Sequence, residues 1–167
     1  GLGDVYKRQI QQLESKHAAA GGRDDDFQIE LTRRTEVEQL VGATALKGLL
    51  ARFDPKFFAS PSNVVKLRRC ESIGKCINPH LDHAARTMQV VLNGEDEYRG
   101  GRLVFVTGDG FQCPPRPAGT ITIHDSTVVH GVTKMESGVR YGLFFLVRKV
   151  MRKEGAILTK GHARARS

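Results

Sequence analysis

The sequence predicts a mainly β domain, a sandwich or jelly roll, backed by one amphipathic helix near its N-terminus. Short strand-like runs alternate with glycine- and proline-containing turns through most of the chain, which is typical of such folds. A single stretch with helical periodicity precedes them. At 167 residues the chain is long enough for one domain with its own core and too short for two of ordinary size.

The first 34 residues show no pattern that predicts a packed element. They contain three alanines followed by two glycines, and then three consecutive aspartates, a composition that indicates a frayed helix or a linker. Because the first methionine is Met88, we expect the sequence to be a fragment, a processed form or a fusion product. Residues 1–9 match no fold pattern and are treated as foreign to the fold. We therefore predict a poorly ordered segment over residues 1–34.

The next stretch, residues 35–53, has the apolar spacing of an amphipathic helix. Thr35 is the expected cap, and Glu38 stands three residues later in capping-box position. Asp54 and Pro55 follow as a stop signal. The apolar stripe consists of Val37, Leu40, Val41, Ala45, Leu49 and Leu50.

Six strands are predicted after this helix, over residues 63–69, 87–93, 102–107, 120–124, 127–132 and 139–148. Turn residues separate them, and the sequence contains no internal repeat. The predicted domain therefore covers residues 35–148, and residues 149–167 form a basic C-terminal tail.

Charge and cysteine content exclude several classes of protein. The net charge is +8, but seven Lys and Arg against one Glu lie after Val147, so that the globular part carries only +2. Such tails are usually solvated, and nucleic-acid binding is disfavoured. Three cysteines without zinc-finger spacing indicate a reducing, intracellular compartment, which we take to be the cytoplasm. No signal peptide or bilayer-spanning run is apparent, so no membrane association is expected.

Two histidines and an aspartate form a candidate metal site. In an extended strand, His80 and Asp82 share one face, while Leu81 is expected to point into the core. His130 ends an apolar run and precedes Gly131, where a strand leaves room for a close backbone neighbour. Two imidazoles and one carboxylate are the ligand set of non-haem Fe(II) sites with open positions, although the same set can hold zinc.

Arg140 is the candidate for binding an anion beside the metal. If the segments 127–132 and 139–148 formed a hairpin, His130 would face Gly142, and Arg140 would lie diagonally on the same face, about 7–8 Å away. Arg140 begins a run that is apolar on both faces, and a buried guanidinium requires an anion. This arrangement would suit a small dicarboxylate that chelates the metal at one end.

The remaining histidines and the cysteines have weaker patterns. His83 should point away from the metal and be structural, whereas His124 is either a neighbour of the ligands or a strand-end residue. The cysteines are expected to be small core residues or free thiols.

An ordered series of motifs over residues 64–147 resembles the 2-oxoglutarate and Fe(II)-dependent dioxygenases, in particular their prolyl 4-hydroxylase-like branch. Gly74 precedes His80-Leu81-Asp82, and five further motifs follow in the family's order. They are Thr87-Met88-Gln89-Val90-Val91-Leu92-Asn93, Gly100-Gly101-Arg102-Leu103-Val104-Phe105, Pro117-Ala118-Gly119, His130-Gly131-Val132 and Gly138-Val139-Arg140-Tyr141.

The resemblance implies a double-stranded β-helix and assigns roles to four residues. His80, Asp82 and His130 would be the catalytic iron ligands, and Arg140 would hold the distal carboxylate of 2-oxoglutarate. The implied reaction hydroxylates a substrate C–H with O2, in a prolyl residue, another protein or peptide residue or a small molecule, and yields succinate and CO2. Ascorbate often keeps the iron reduced in this family.

This sequence departs from the family at three places. Cys70-Glu71 and Val91 stand where the family has tyrosines, which leaves the secondary contacts of 2-oxoglutarate open. The collagen-type branch usually has Lys at the position of Arg140, which disfavours a collagen substrate.

Two other functions remain open. One is a catalytically silent jelly roll that binds a metal or ligand. The other is a nucleic-acid demethylase, which is disfavoured because Leu146 stands where that branch has a second Arg.

Overall fold

The computed structural model describes residues 2–149, with side chains from residue 8 onward. This part of the chain contains three α-helices, one 3-10 turn and eleven strands. The helices are α1 (Leu2–Ala19), α2 (Arg34–Val41) and α3 (Ala43–Phe53). The strands are β1 (Gln28–Leu31), β2 (Val64–Cys70), β3 (Ile77–His80), β4 (Ala84–Val91), β5 (Tyr98–Gly100), β6 (Leu103–Thr107), β7 (Gly110–Gln112), β8 (Ile121–Asp125), β9 (His130–Val132), β10 (Met135–Gly138) and β11 (Arg140–Arg148).

The strands form two main antiparallel sheets and one short ribbon. The major sheet has the order β1-β2-β11-β4-β8, and the minor sheet has the order β3-β9-β6-β7. Strands β10 and β5 pair separately. Apart from the consecutive pairs β1-β2 and β6-β7, neighbours in the two main sheets are distant in sequence, as in a jelly roll. The predicted fold class is confirmed.

Strict side-chain alternation divides the major sheet into two faces with different roles. One face carries Val65, Leu67, Val90, Leu143 and Phe145, which pack against the helices. The opposite face points between the sheets, and its residues include Arg68, Gln89, Arg140, Gly142 and Phe144. The helix-facing half therefore forms the core, while the inward half is available for a site.

The predicted helix over residues 35–53 is divided in two at Gly42. Gly42 has a φ of +86°, and its N–H donates to the carbonyl of Glu38 while its carbonyl accepts from Leu46. A glycine tolerates this left-handed conformation, so one residue ends α2 and begins α3. The predicted cap is also wrong: Arg33 is the N-cap, and its backbone N–H donates to the side chain of Glu36, so the Glu38 side chain has no capping role. The predicted end at Phe53 is confirmed.

The prediction of a poorly ordered segment over residues 1–34 is wrong for most of that segment. Helix α1 buries Leu13 completely in the core, and its Glu14 accepts hydrogen bonds from Arg69 and Tyr141, each at 2.6 Å. Strand β1 adds an edge to the major sheet through pairs such as Ile29 with Leu67. The apolar positions were too sparse to predict this packing, because most side chains of residues 8–19 are polar and exposed.

The predicted hairpin between residues 127–132 and 139–148 does not form. Strand β9 pairs with β3 and β6 in the minor sheet, whereas β11 pairs with β2 and β4 in the major sheet. Gly142 therefore faces Arg68 and Val91 rather than His130. The physical reason is that β10, which pairs with β5, carries the chain from one sheet to the other.

The tail predicted over residues 149–167 lies outside the described residues except for Lys149, which is in neither helix nor strand. No helix within residues 2–149 has the combination of length and apolarity that a membrane-spanning segment requires.

Candidate metal centre

His80, Asp82 and His130 converge at one end of the space between the sheets. His80 and His130 are direct partners on neighbouring strands β3 and β9, and their ring centroids are 4.5 Å apart. The Oδ1 atom of Asp82 lies 3.6 Å from the Nε2 atoms of both histidines. One ligand atom from each of the three residues lies within 4.8 Å of the others.

Backbone contacts leave both Nε2 atoms available as ligands. The Nδ1 atom of His80 is 2.9 Å from the carbonyl of Asn78, and that of His130 is 3.1 Å from the carbonyl of Val128. A carbonyl can only accept, so each Nδ1 carries the proton and each Nε2 presents its lone pair. This is the orientation that metal-binding histidines usually need.

Asp82 is oriented by Thr87 on the major sheet. Strand β3 ends at His80, and the chain then crosses to β4, where the hydroxyl of Thr87 donates to Oδ2 of Asp82 at 2.6 Å. The other carboxylate oxygen remains directed at the histidines. Leu81 does not point into the core as predicted; it is 52% exposed, because it lies beyond the strand end.

A close backbone approach explains the glycine after His130. A Cβ at Gly131 would lie 2.7 Å from the carbonyl oxygen of Ile77, which is closer than van der Waals contact allows. The backbone of β3 therefore occupies the room that the sequence predicted at this glycine. Any larger residue would push apart the strands that carry His80 and His130.

Arg140 reaches the same cavity from the opposite sheet. A cavity of about 190 Å³ is lined by the three candidate ligands and by Arg140, Gln89, Phe144 and Leu146, among others. Arg140 is the first residue of β11 and donates to the carbonyl of Gly101. Burial lowers the pKa of its guanidinium, although the group stays charged. The prediction that Arg140 lies near the candidate ligands agrees with this cavity, but the predicted pairing of β9 with β11 does not form.

His124 lies directly behind the candidate ligands. Its ring centroid is 4.4 Å from that of His130, and its Nε2 atom is 3.8 Å from Oδ2 of Asp82. That Nε2 atom is buried and has no hydrogen-bond partner among the described residues. Burial, and then the neighbouring His130, lower the pKa of His124. Of the two alternatives open from the sequence, the structure favours a neighbour of the ligands.

The other residues discussed above lie away from the ligand atoms. His83 is exposed, which agrees with its predicted direction away from the metal. All three cysteines are free: Cys70 is buried, Cys113 is half-buried and Cys76 is exposed. None of them belongs to a ligand cluster within the described residues.

Sequence reasoning missed one buried cation near the site. Arg116, in the proline-rich turn before β8, is only 6% exposed and donates to Oε1 of Gln89 at 3.3 Å. The turn looked like a surface loop because prolines surround Arg116 in the sequence. No local signal reveals that this side chain points between the sheets, since its direction depends on how the turn packs on β4.

The donor set fits a divalent transition metal. Nitrogen and oxygen ligands bind such ions at about 2.0–2.2 Å, which places neighbouring ligand atoms about 3–3.5 Å apart. The two separations of 3.6 Å between the carboxylate and the imidazoles need only a small contraction, and the ligand atoms of the two imidazoles lie within 4.8 Å of each other. Two sheets with a paired His-His and a carboxylate at one end define the double-stranded β-helix class with a two-histidine-one-carboxylate centre.

Comparisons with known proteins agree with this class. The chain is 31% identical over 93 residues to a PKHD-type hydroxylase of Burkholderia ambifaria, which covers 48% of this chain and 41% of that protein. A Pseudomonas putida prolyl-4-hydroxylase matches in structure with a TM-score of 0.58 and 16% identity, covering 89% of this chain and 88% of that one. The viral collagen prolyl hydroxylase of Paramecium Bursaria Chlorella virus-1 has the same TM-score and identity, covering 89% and 90%. No family model matches the chain.

These similarities confirm the resemblance to the 2-oxoglutarate and Fe(II)-dependent oxygenases and to their prolyl 4-hydroxylase-like branch. The chain spans less than half the length of the curated relative described above. The structural matches establish the fold, while the sequence match covers about half of this chain.

Proposed function

We propose that this chain is an Fe(II)- and 2-oxoglutarate-dependent dioxygenase that hydroxylates a substrate C–H. The observation that carries the proposal is that His80, Asp82, His130 and Arg140 line one cavity between the two sheets. A ligand set with open positions beside a half-buried guanidinium suits a cosubstrate with a chelating end and a carboxylate end. The similarity to hydroxylases is a second, independent support.

In this proposal His80, Asp82 and His130 hold Fe(II), and Arg140 holds the distal carboxylate of 2-oxoglutarate. The bound iron supplies the activation of O2 that is coupled to decarboxylation of 2-oxoglutarate to succinate. The protein's own contribution is position. The Nδ1 contacts fix both imidazoles, Thr87 fixes the carboxylate, and Arg140 fixes the far end of the cosubstrate.

The cavity is also partly apolar beside the proposed position of the cosubstrate. Phe144 and Leu146 line it beside Arg140, and His130 is only 4% exposed. A cation in such surroundings interacts more strongly with a carboxylate than it would in water. The side chain of His80 is 40% exposed, so we infer that the substrate approaches from the side of His80 and Leu81.

A prolyl residue in a protein or peptide is the substrate we favour, and a small molecule is the alternative. The support is the names of the similar proteins, which are hydroxylases and prolyl 4-hydroxylases. The use of ascorbate and a cytoplasmic location remain predictions from sequence.

The direct test is succinate formation with Fe(II), 2-oxoglutarate and O2, together with a panel of prolyl peptides. We expect His130→Ala to abolish succinate formation and to leave the circular dichroism of the fold intact. His83→Ala is the matched control, because His83 is exposed and next to the ligand pair. Unchanged turnover in His130→Ala would contradict the proposed metal centre.

The same assay distinguishes the two other functions. A catalytically silent binding module would bind Fe(II) or 2-oxoglutarate but would form no succinate with any substrate in the panel. A nucleic-acid demethylase that recruits its substrate through the basic tail would lose turnover in a chain that ends at Lys149. We expect that shortened chain to keep full turnover on peptides.

A further inference from the structure

We propose that Arg116 is a second cationic contact for the distal carboxylate of the dicarboxylate cosubstrate, on the side of that carboxylate away from the metal. This inference rests on the proposed function. It adds a residue from a different element to the binding of the cosubstrate, since Arg140 belongs to β11 and Arg116 to the turn before β8.

The first support is the position of Arg116 relative to Arg140 and the metal cavity. A second, small cavity of about 20 Å³ is lined by Arg116, Arg140 and Tyr98. It shares Arg68, Gln89, Phe144 and Arg140 with the larger metal cavity. The small cavity has room for little more than one water-sized group. These shared residues place Arg116 beside the part of the larger cavity that Arg140 lines.

Strand β4 runs from the metal end of the larger cavity, lined by the candidate ligands, to the small cavity beside Arg116. Thr87 and Gln89 are two residues apart and point to the same side of the sheet. Thr87 contacts Asp82 at the metal end, while Gln89 accepts a hydrogen bond from Arg116. The separation of two residues along a strand is about 7 Å, which is the scale of a short dicarboxylate.

Backbone bonds fix the turn that carries Arg116 onto the end of β4. The N–H of Gly119 donates to the carbonyl of Val91 at 2.8 Å, and the N–H of Val91 donates to the carbonyl of Thr120 at 3.0 Å. The turn is closed by a bond from Thr120 to the carbonyl of Pro117. These bonds hold the C-terminal half of the turn on β4, and the Arg116 side chain just before it donates to Gln89.

The charges supply the second, independent support. Arg68 in the same cavity is paired with Asp26 through two hydrogen bonds of 2.6 and 2.5 Å. Among residues 8–149, in contrast, Arg116 and Arg140 have only uncharged partners, Gln89 and the carbonyl of Gly101. The Nε atom of Arg116 is buried without any hydrogen bond.

Two guanidinium groups without a counter-ion, one buried and one half-buried, make an unfavourable arrangement unless an anion joins them. Burial and then the positive charge of Arg140 lower the pKa of Arg116, which is the effect expected of two close cations. Tyr98 does not neutralise them, because burial raises the pKa of its hydroxyl and keeps it protonated. A carboxylate between the two guanidinium groups would satisfy both. Because Val91 stands where the family has a tyrosine, no tyrosine hydroxyl at this position is available to bind the carboxylate.

The experiment compares two ligands that differ only at the distal end. We would titrate 2-oxoglutarate and 2-oxopentanoate, which lacks the distal carboxylate, into Mn(II)-loaded protein by calorimetry. The proteins are the wild type, Arg116→Gln, Arg116→Lys and Arg140→Gln. Arg99→Gln is the matched control, since Arg99 is exposed on the strand that carries Tyr98.

We expect Arg116→Gln to weaken 2-oxoglutarate binding at least about tenfold, the size of one lost charge-assisted hydrogen bond, and to leave 2-oxopentanoate binding unchanged. Arg116→Lys keeps the positive charge and should recover part of the lost affinity for 2-oxoglutarate. This variant also provides the test if Arg116→Gln does not fold. Arg99→Gln should bind both ligands like the wild type.

The results that would overturn only this inference differ from the result that would overturn the proposed function. If Arg116→Gln and Arg116→Lys weaken both ligands equally, Arg116 has a structural role only, and if neither variant changes binding, Arg116 does not contact the cosubstrate. In both cases Arg140→Gln would still discriminate between the ligands. If the wild type itself binds both ligands equally, the cosubstrate assignment fails and the role of Arg116 fails with it.

Discussion

Thr87 is the side chain that determines which oxygen of Asp82 faces the histidines. Its hydroxyl holds Oδ2 at 2.6 Å, so that Oδ1 is the atom 3.6 Å from both Nε2 atoms. A carboxylate without this bond would be free to rotate and would lose part of its preorganisation for a metal.

We therefore predict that Thr87→Val lowers the affinity for Fe(II) or Mn(II) by about 10- to 100-fold, without changing the fold. Metal titration followed by calorimetry measures this. Thr127→Val is the control, because the Thr127 hydroxyl donates to a different aspartate, Asp125, which is not one of the candidate ligands. Equal metal affinity of the wild type and Thr87→Val would show that Asp82 is positioned by other contacts.

At the level of single residues, the features that could be predicted from the sequence are those that depend on residue type and spacing. The ligand candidates His80, Asp82 and His130 follow from chemistry that needs those side chains, and the structure brings them together. Arg116 and Thr87 could not be predicted, because their roles depend on which strand lies opposite. The direction of Leu81 was wrong for a similar reason, since strand β3 ends one residue before it.

At the level of elements, helix α1 is part of the fold because its polar side also makes specific contacts. Glu14 accepts from Arg69 on β2 and Tyr141 on β11, which connects the helix to the two strands beside it. Burial alone would raise the pKa of Glu14, but the hydrogen bonds from Tyr141 and Arg69 lower it overall. The ionised form is thus favoured in the folded state.

This direction gives a pH dependence. A carboxyl whose pKa is lower in the folded state contributes stability above its unfolded pKa, near 4.5, and loses it as the pH falls through the folded value. We predict that Glu14→Gln lowers the free energy of unfolding at pH 7 by on the order of 1 kcal/mol, a modest value because Glu14 is partly exposed. Urea denaturation at pH 7 and below pH 4 should show the difference shrinking with acidity.

Glu38→Gln is a suitable comparison, since the Glu38 side chain pairs with Arg34 within the same helix and, among the described residues, not with another element. Its effect should be smaller at pH 7. A Glu14→Gln variant as stable as the wild type at pH 7 would mean that α1 is held only by apolar contacts such as those of Leu13.

Local patterns predicted the elements better than their pairing. Alternation and turn residues located β2, β6, β8 and β11 to within about two residues. They could not show that β9 and β11 belong to different sheets, because a hairpin and a crossover have the same local sequence requirements. The split of the predicted helix at Gly42 follows from one backbone conformation that helical periodicity does not encode.

At the level of the whole molecule, the two sheets have separate tasks in the proposed reaction. The minor sheet carries His80 and His130, and the major sheet carries Arg140 and the Thr87 that orients Asp82. A metal and a cosubstrate bound between them would join the two sheets. The helices cover only the outer face of the major sheet, so the fold core and the site occupy opposite faces of the same strands.

A crystal structure of the protein soaked under anaerobic conditions with Fe(II) and a 2-oxoglutarate analogue would locate both groups. We predict an iron anomalous peak between the Nε2 atoms of His80 and His130 and the Oδ1 atom of Asp82. The analogue should extend from that peak to the guanidinium of Arg140. Iron bound elsewhere, or an analogue bound without reaching Arg140, would contradict the proposed site.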